Sequence, residues 1–271
     1  MSRARRHIIR LGVAAAASAA VVGGAASAAG AASASGTGAA AAGNSGSSAV
    51  PATLDGIKAK AHTDITDRVD DLDAAIAKDN TAKGLGSGQA TLVVYLGTDL
   101  ASLQQLDQRI QGDTTVKQAA QDFSTIFSGY RVYVLVLPAA RIAGDADRAS
   151  STAIPDLTAA SARAQKHVNL RNQEFLEPLI NDLNAQIATA TGATNGLAAT
   201  VLAFTPAQWN AHNDVLSQAT SSDHTTDSAL QKGWSDVQDT LQVRRRAATS
   251  GAGAAGSGSG LRAQPGTTTT A

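Results

Sequence analysis

Apolar residues recur at steps of three and four along most of the central chain, and no cysteine is present to cross-link it. That step places side chains on one face of an α-helix, so the chain must fold by packing such faces together. Disulfides and thiolate metal sites are excluded. Aromatic residues make up only 3% of the 271 positions, which leaves Ala, Leu, Val and Ile to build the core. A fully buried Leu or Val contributes about 1.5–3 kcal/mol and an Ala much less. Stability must then come from many small contacts between closely spaced helices. The expected fold is all-α, a multi-helix antiparallel bundle.

The stripes are explicit. Leu54, Ile57, Ala61, Ile65, Val69, Leu72 and Ile76 predict a helix from about Thr53 to Asn80, ended by Gly84 and Gly86. Leu92, Leu96, Leu100, Leu103, Leu106 and Ile110 predict a second, and Val116, Ala120, Phe123 and Phe127 a third. After Pro138 the stripe is Ile142, Ala146, Ala149, Ala153, Leu157, Ala160 and Ala164, with Pro155 expected to kink or divide it. Leu176, Ile180, Leu183 and Ile187 mark a helix from Asn172 to about Thr191. Leu230, Trp234, Val237 and Leu241 mark the last, from about Asp223 to Arg246. At Thr205-Pro206-Ala207-Gln208-Trp209 a Thr cap, a Pro at the first helical position and a Gln three residues on spell a capping box. Phe204 and Trp209 stand at staple positions around it.

One run breaks the pattern. Tyr130–Pro138 is the most apolar short stretch outside the leader, and Val132–Leu137 is rich in Val and Tyr. It predicts an extended segment joining two related helical halves. The relation rests on Asp71-Leu72-Asp73-Ala74-Ala75-Ile76 matching Asp182-Leu183-Asn184-Ala185-Gln186-Ile187, within segments 54–134 and 166–245. In that register Phe123 falls opposite Trp234. Thr91–Leu96 and Thr200–Phe204 share the β-type composition but continue helical stripes, and are read as helix.

The ends are of another kind. Arg3, Arg5, Arg6 and Arg10 precede a short Ala-rich apolar run and a small-x-small site, Ala26-Ser27-Ala28. Residues 1–28 therefore read as an export signal. Arg5-Arg6-His7-Ile8-Ile9-Arg10 resembles a twin-arginine signal, with Ala4 where Ser or Thr is usual, so both the folded and the general export routes stay open. Residues 29–50 read as a flexible Ala/Gly/Ser linker, 51–246 as the helical body, and 247–271 as a disordered tail.

The search for chemistry finds no catalytic motif. Net charge is zero, which argues against a nucleic-acid surface. His62, His167, His212 and His224 lie in separate segments without i,i+4 partners, so no metal and no cofactor is expected. Asp64, Asp67 and Asp71 line one helix side and read as a solvated acidic face. Asp145 and Asp147 carry no assigned role. Gly84-Leu85-Gly86-Ser87-Gly88 lacks the Lys-Ser/Thr of a phosphate loop and follows a helix, so it reads as a flexible connector. Arg244-Arg245-Arg246 suits the C-terminus of a helix. Trp209 and Trp234 fall on core stripes. Phe127 and Tyr133 are the candidate lining of an apolar ligand cleft.

At Tyr130–Pro138 and at Leu197-Ala198-Ala199-Thr200-Val201-Leu202-Ala203-Phe204-Thr205-Pro206-Ala207-Gln208-Trp209, the chain resembles a group of secreted, alanine-rich helical proteins of actinobacterial type. The resemblance would cover about Leu54–Leu241. It implies a helical fold and an extracellular or envelope location, and no site residues. The functional expectation is an exported, non-catalytic binding or structural module whose partner is cell-wall polymer or another envelope protein. No transmembrane span is expected after signal removal. The alternatives are a carrier of a small apolar ligand and a hydrolase whose site is assembled from scattered residues.

Overall fold

The computed structural model describes residues 50–170 and 172–254, with side chains up to Arg246. The expected export signal, nearly all of the linker and the end of the expected tail lie outside the described residues. Within them the chain is 84% helical and has no strand. The all-α reading holds.

The elements are α1 (Leu54–Thr81), α2 (Gly88–Gly112), α3 (Val116–Ser128), a π-helical turn (Val132–Val136), α4 (Leu137–Arg148), a second π turn (Ala149–Ala153), α5 (Ile154–Gln165), α6 (Gln173–Thr194), α7 (Leu197–Leu202), α8 (Pro206–Ala211) and α9 (Ser217–Ala254). Threonines start three of them. Thr53 accepts from the Gly56 amide at 3.2 Å and Thr115 from that of Gln118 at 3.3 Å. Thr205 and Gln208 form the expected reciprocal capping box, with Pro206 at the start of α8. Each cap satisfies amides that a helix start leaves without a partner.

The largest core cluster unites α1, α2, α3, the first π turn, α4, α7 and the start of α9. Ile57, Leu72, Leu92, Leu96, Leu103, Leu106, Ile110, Phe123, Ile126, Leu135 and Ile142 are almost wholly buried in it. The stripes of α1, α2 and α4 therefore face inward as their spacing predicts. Phe204 and Trp209 pack against the same cluster. A smaller cluster of Ala164, Leu176 and Ile180, flanked by Val168 and Val243, joins α5, α6 and α9.

The expected extended run Val132–Leu137 is a correction: it is helical. Arg131 takes a left-handed conformation (φ 49°), and the next five residues wind as a π turn closed by the Leu137 amide on the Val132 carbonyl. Composition favoured a strand, but among the described residues no neighbouring strand exists to take its hydrogen bonds. The wide turn satisfies the backbone internally and still buries Val132, Leu135 and Val136. Pro155 likewise divides its helix through a second π turn, closed by the Ile154 amide on the Ala149 carbonyl. The run Val116–Gln165 is long and apolar enough to cross a membrane by length and composition, yet 44% of its most apolar window is buried inside the bundle.

The glycine-rich connector is also corrected: it is pinned, not loose. The Asp147 carboxylate accepts the Gly86 amide at 2.6 Å, and Ser151 and Thr152 donate to the Gly84 carbonyl at 2.6 and 3.2 Å. A Cβ on Gly88 would lie 2.6 Å from Asp147 Cγ, and Gly84 has φ +85°. The glycines permit close approach here.

α9 differs most from expectation. Its buried positions are Ala219, Asp223, Thr226, Ala229, Gly233, Asp236 and Thr240. Leu230 and Val237 are half-buried, and Trp234 and Leu241 are 40% and 42% exposed. The helix is turned by about one position from the predicted stripe, so Trp234 is not a core residue. The reason is spacing. Gly233 brings α9 against Leu157 and Leu183, whose methyls would stand 3.0 and 3.4 Å from an added Cβ. The segments following the two Asp-Leu motifs also differ: α2 is one long helix, whereas α7 and α8 are two short ones. Beyond Arg246, α9 continues to Ala254, into the region expected as tail.

Two glycines test the packing in opposite directions. Gly233→Leu should lower the unfolding free energy by about 1–3 kcal/mol. Gly97→Ala, inside α2 with nothing within 4 Å of the new methyl, should raise it by about 0.5–1 kcal/mol. Urea denaturation of both variants reads each effect.

Candidate functional site

The buried arc of α1 runs Ala61, Asp64, Ile65, Arg68, Leu72. Arg68 occupies a core position and is 5% exposed. Its guanidinium carbon lies 4.8 Å from the Phe127 ring centre and 5.1 Å from that of Tyr133. Phe127 in turn meets Phe123 edge-on, with centres 5.4 Å apart. The two aromatic residues singled out from the sequence, one from α3 and one from the first π turn, thus both pack against one guanidinium.

Arg68 donates through Nη1 to the Asp64 carbonyl at 2.6 Å. Burial pushes the Tyr133 hydroxyl up to about 12, helped by its hydrogen bond to Asp71 and by that carboxylate's charge. Asp64 pairs with Lys60 through one oxygen, while its buried Oδ2 has no partner among the described residues. The expected solvated acidic face therefore divides. Asp67 and Asp71 are exposed, but Asp64 is buried beside the guanidinium. Stacking of this kind is worth roughly 0.5–2 kcal/mol, more as water is excluded. The cluster fixes the π turn against α1. A ligand entering beside these rings would have to accommodate Arg68.

A signal for Arg68 was present: a cation in register between Ile65 and Leu72. Nothing comparable marked Asp223 and Asp236, which lie on the inner face of α9 only because that helix is rotated.

A second constellation lies between α1 and α2. His62 Nδ1 stands 2.9 Å from Asp107 Oδ2. Gln111 Nε2 donates to the Lys58 carbonyl at 3.2 Å, and Lys58 Nζ to the Gln111 carbonyl at 2.7 Å. These groups border a shallow depression of about 510 Å³ with Asp55 and Ala59. The carboxylate orients the imidazole, but His62 is 64% exposed and the lining holds no hydroxyl or thiol to activate. Among the described residues no group of three His, Cys, Asp or Glu side chains could hold a metal ion.

Three further groups are perturbed near α2. Burial pushes the Asp99 carboxyl up to about 6 and the Tyr95 hydroxyl up to about 12, the latter also through the nearby Asp99 charge. Burial raises Tyr130 too, and its hydroxyl donates to the Ser102 carbonyl at 3.1 Å.

Compared with protein-family models, curated proteins and solved structures, the chain matches none. The roles of these residues therefore rest on their own geometry, and two measurements test them. Arg68→Ala should lower the unfolding free energy by about 2–4 kcal/mol in urea, by losing the stacked filler and its hydrogen bond to the Asp64 carbonyl. All three tyrosines are shifted upward, so the native protein should show little tyrosinate absorbance at about pH 10, where free phenols are half ionised. Unfolding at that pH should release it.

Proposed function

We propose that this is an exported, non-catalytic helical bundle that works by binding another protein of the cell envelope. The observation that carries the reading is the orientation of α9. That helix buries Asp223, Thr226, Asp236 and Thr240 and leaves Trp234 and Leu241 substantially exposed. The two residues are seven apart, hence two turns along one flank. An indole and a leucyl group two turns apart are the anchors a helix offers to an apolar groove. Trp is also enriched among residues that dominate binding energy. The basic leader and the Ala26-Ser27-Ala28 site support export.

Cell fractionation tests the reading. The native protein should stay with washed envelopes. The double variant Trp234→Ser, Leu241→Ser should be released to the medium, with apparent affinity down about thirtyfold, while its far-ultraviolet circular dichroism stays helical. Native protein found free in the medium, with none retained on washed cells, would overturn envelope binding. Retention on purified wall polymer stripped of protein would reassign the partner.

A further inference from the structure

The helices α5, α6 and α9 form an arm that leads away from the large core. α9 touches that core through Ala219 and the small cluster through Val243. At the helical rise the two contacts lie about 36 Å apart. The small cluster fills the far end, where Val168 from just past α5, Leu176 from the first turn of α6 and Val243 from α9 meet. The turn between α5 and α6 closes this tip. Asn172, 7% exposed, holds it: its Oδ1 accepts the Asn169 amide at 2.7 Å and its Nδ2 donates to the His167 carbonyl at 3.0 Å. The turn so held presents Leu170, 96% exposed, the most exposed large apolar side chain among the described residues. Phe175, on the first turn of α6, is 62% exposed. A lone apolar side chain on a surface needs no explanation, but two at one projecting end, beside a charge pattern of their own, do.

That pattern is basic. Arg163 and Lys166 are exposed at the end of α5, and Arg244, Arg245 and Arg246 follow Val243 within one turn of α9. Bases at 244–246 were expected to serve the C-terminus of a helix. α9 instead runs on to Ala254, more than two turns further, so the dipole of its last turn does not account for them. The whole chain has zero net charge, yet no acid occurs between Asp156 and Glu174 or from Thr240 to Ala271. Glu174, Glu177 and Asp239 are the acids on the neighbouring turns, so the five cations outnumber them.

We propose that this tip docks on a lipid surface of anionic headgroups, with Leu170 and Phe175 entering the boundary between headgroups and acyl chains while the cations meet phosphates. A bilayer interface takes apolar groups from a projecting end without a shaped groove, and it offers negative charge beside them. The stems of Arg and Lys lie along apolar surface while their heads stay with the phosphates. A soluble polyanion would match the cations but leave Leu170 and Phe175 in water. Each cation brought to such a surface strengthens binding about fivefold. The contact is additional to the protein-binding flank proposed above, whose Trp234 lies about 14 Å back along α9 from Val243.

The chain has no cysteine, so Leu170→Cys supplies a single thiol for an apolar, environment-sensitive fluorophore in the full-length protein. That label reads immersion at the tip, whatever else of the chain touches the vesicle. On phosphatidylcholine vesicles holding about one-third phosphatidylglycerol, emission should rise about threefold and shift to the blue, and fall back as salt is raised to about 0.5 M. Vesicles of phosphatidylcholine alone should leave it unchanged, as should either vesicle for a label at the exposed Val94 of α2. Arg163→Gln with Lys166→Gln should raise the lipid concentration at half-response about twenty-five-fold, and Phe175→Ser about tenfold. Trp234→Ser should leave it in place, so this proposal and the protein-binding reading fail separately. No response at position 170 on anionic vesicles, an equal one on phosphatidylcholine alone, or a native half-response in the Arg163→Gln, Lys166→Gln protein would each overturn the proposal. An equal response to soluble polyphosphate would reassign the tip to a free polyanion and overturn docking on lipid.

Discussion

Two prolines have to be carried inside one helical rod, and the rest of the bundle depends on how that is done. The rod runs from Val132 through α4 to Gln165 and holds Pro138 and Pro155. A proline cannot donate its backbone amide, and its ring presses on the carbonyl four residues earlier. Each proline here is the second residue of the α-helix that follows a π turn. The wider turn moves the opposing carbonyl aside and lets the preceding amides find acceptors five residues back. Pro178 interrupts α6 on its exposed side, where water can take over the carbonyl it leaves without a partner. Because the rod stays helical, its α4 portion serves the large core and its α5 portion the small one.

Around that rod, closeness replaces bulk. Gly233 admits Leu157 and Leu183 to the backbone of α9, and Ala139, Ala143 and Ala146 line the buried side of α4. Close approach has a consequence for polarity. Near the small residues of α9 lie Asp223, Thr226, Asp236 and Thr240, so one face of the longest helix is both tightly packed and polar. The hydroxyls satisfy themselves locally, as Thr240 does by donating to the Asp236 carbonyl at 2.8 Å. The carboxylates have fewer partners: burial raises Asp236, and its Oδ2 has none among the described residues. Displaced apolar groups then appear on the outer flank as Trp234 and Leu241, where the proposed binding surface lies.

Long stripes were legible because many positions vote together. The six stripe residues of α2, Leu92, Leu96, Leu100, Leu103, Leu106 and Ile110, agree on one face, and five of them are buried. The helix cap at Thr205 was legible because a capping box is local chemistry that tertiary context rarely overrides. Val132–Val136 was not legible as helix, since a five-residue run of Val, Tyr and Leu carries β preference and no periodicity of its own. The face of α9 was missed for a different reason: spacing alone cannot rank a Gly-Asp-Thr stripe against a Leu-Trp stripe one position away, and hydrophobicity ranked them in the wrong order. Of the site, Phe127 and Tyr133 were read as the lining of an apolar cleft, whereas the Arg68 that packs against both could be found only by asking why a cation sits in core register.

The most direct test is scalar coupling across hydrogen bonds in the labelled protein. The rod requires a coupling from the Leu137 amide to the Val132 carbonyl and one from the Ile154 amide to the Ala149 carbonyl, with helical Cα shifts throughout residues 132–137. Extended-type shifts over that stretch, or no coupling back to Val132, would break the rod at its first proline and contradict the account.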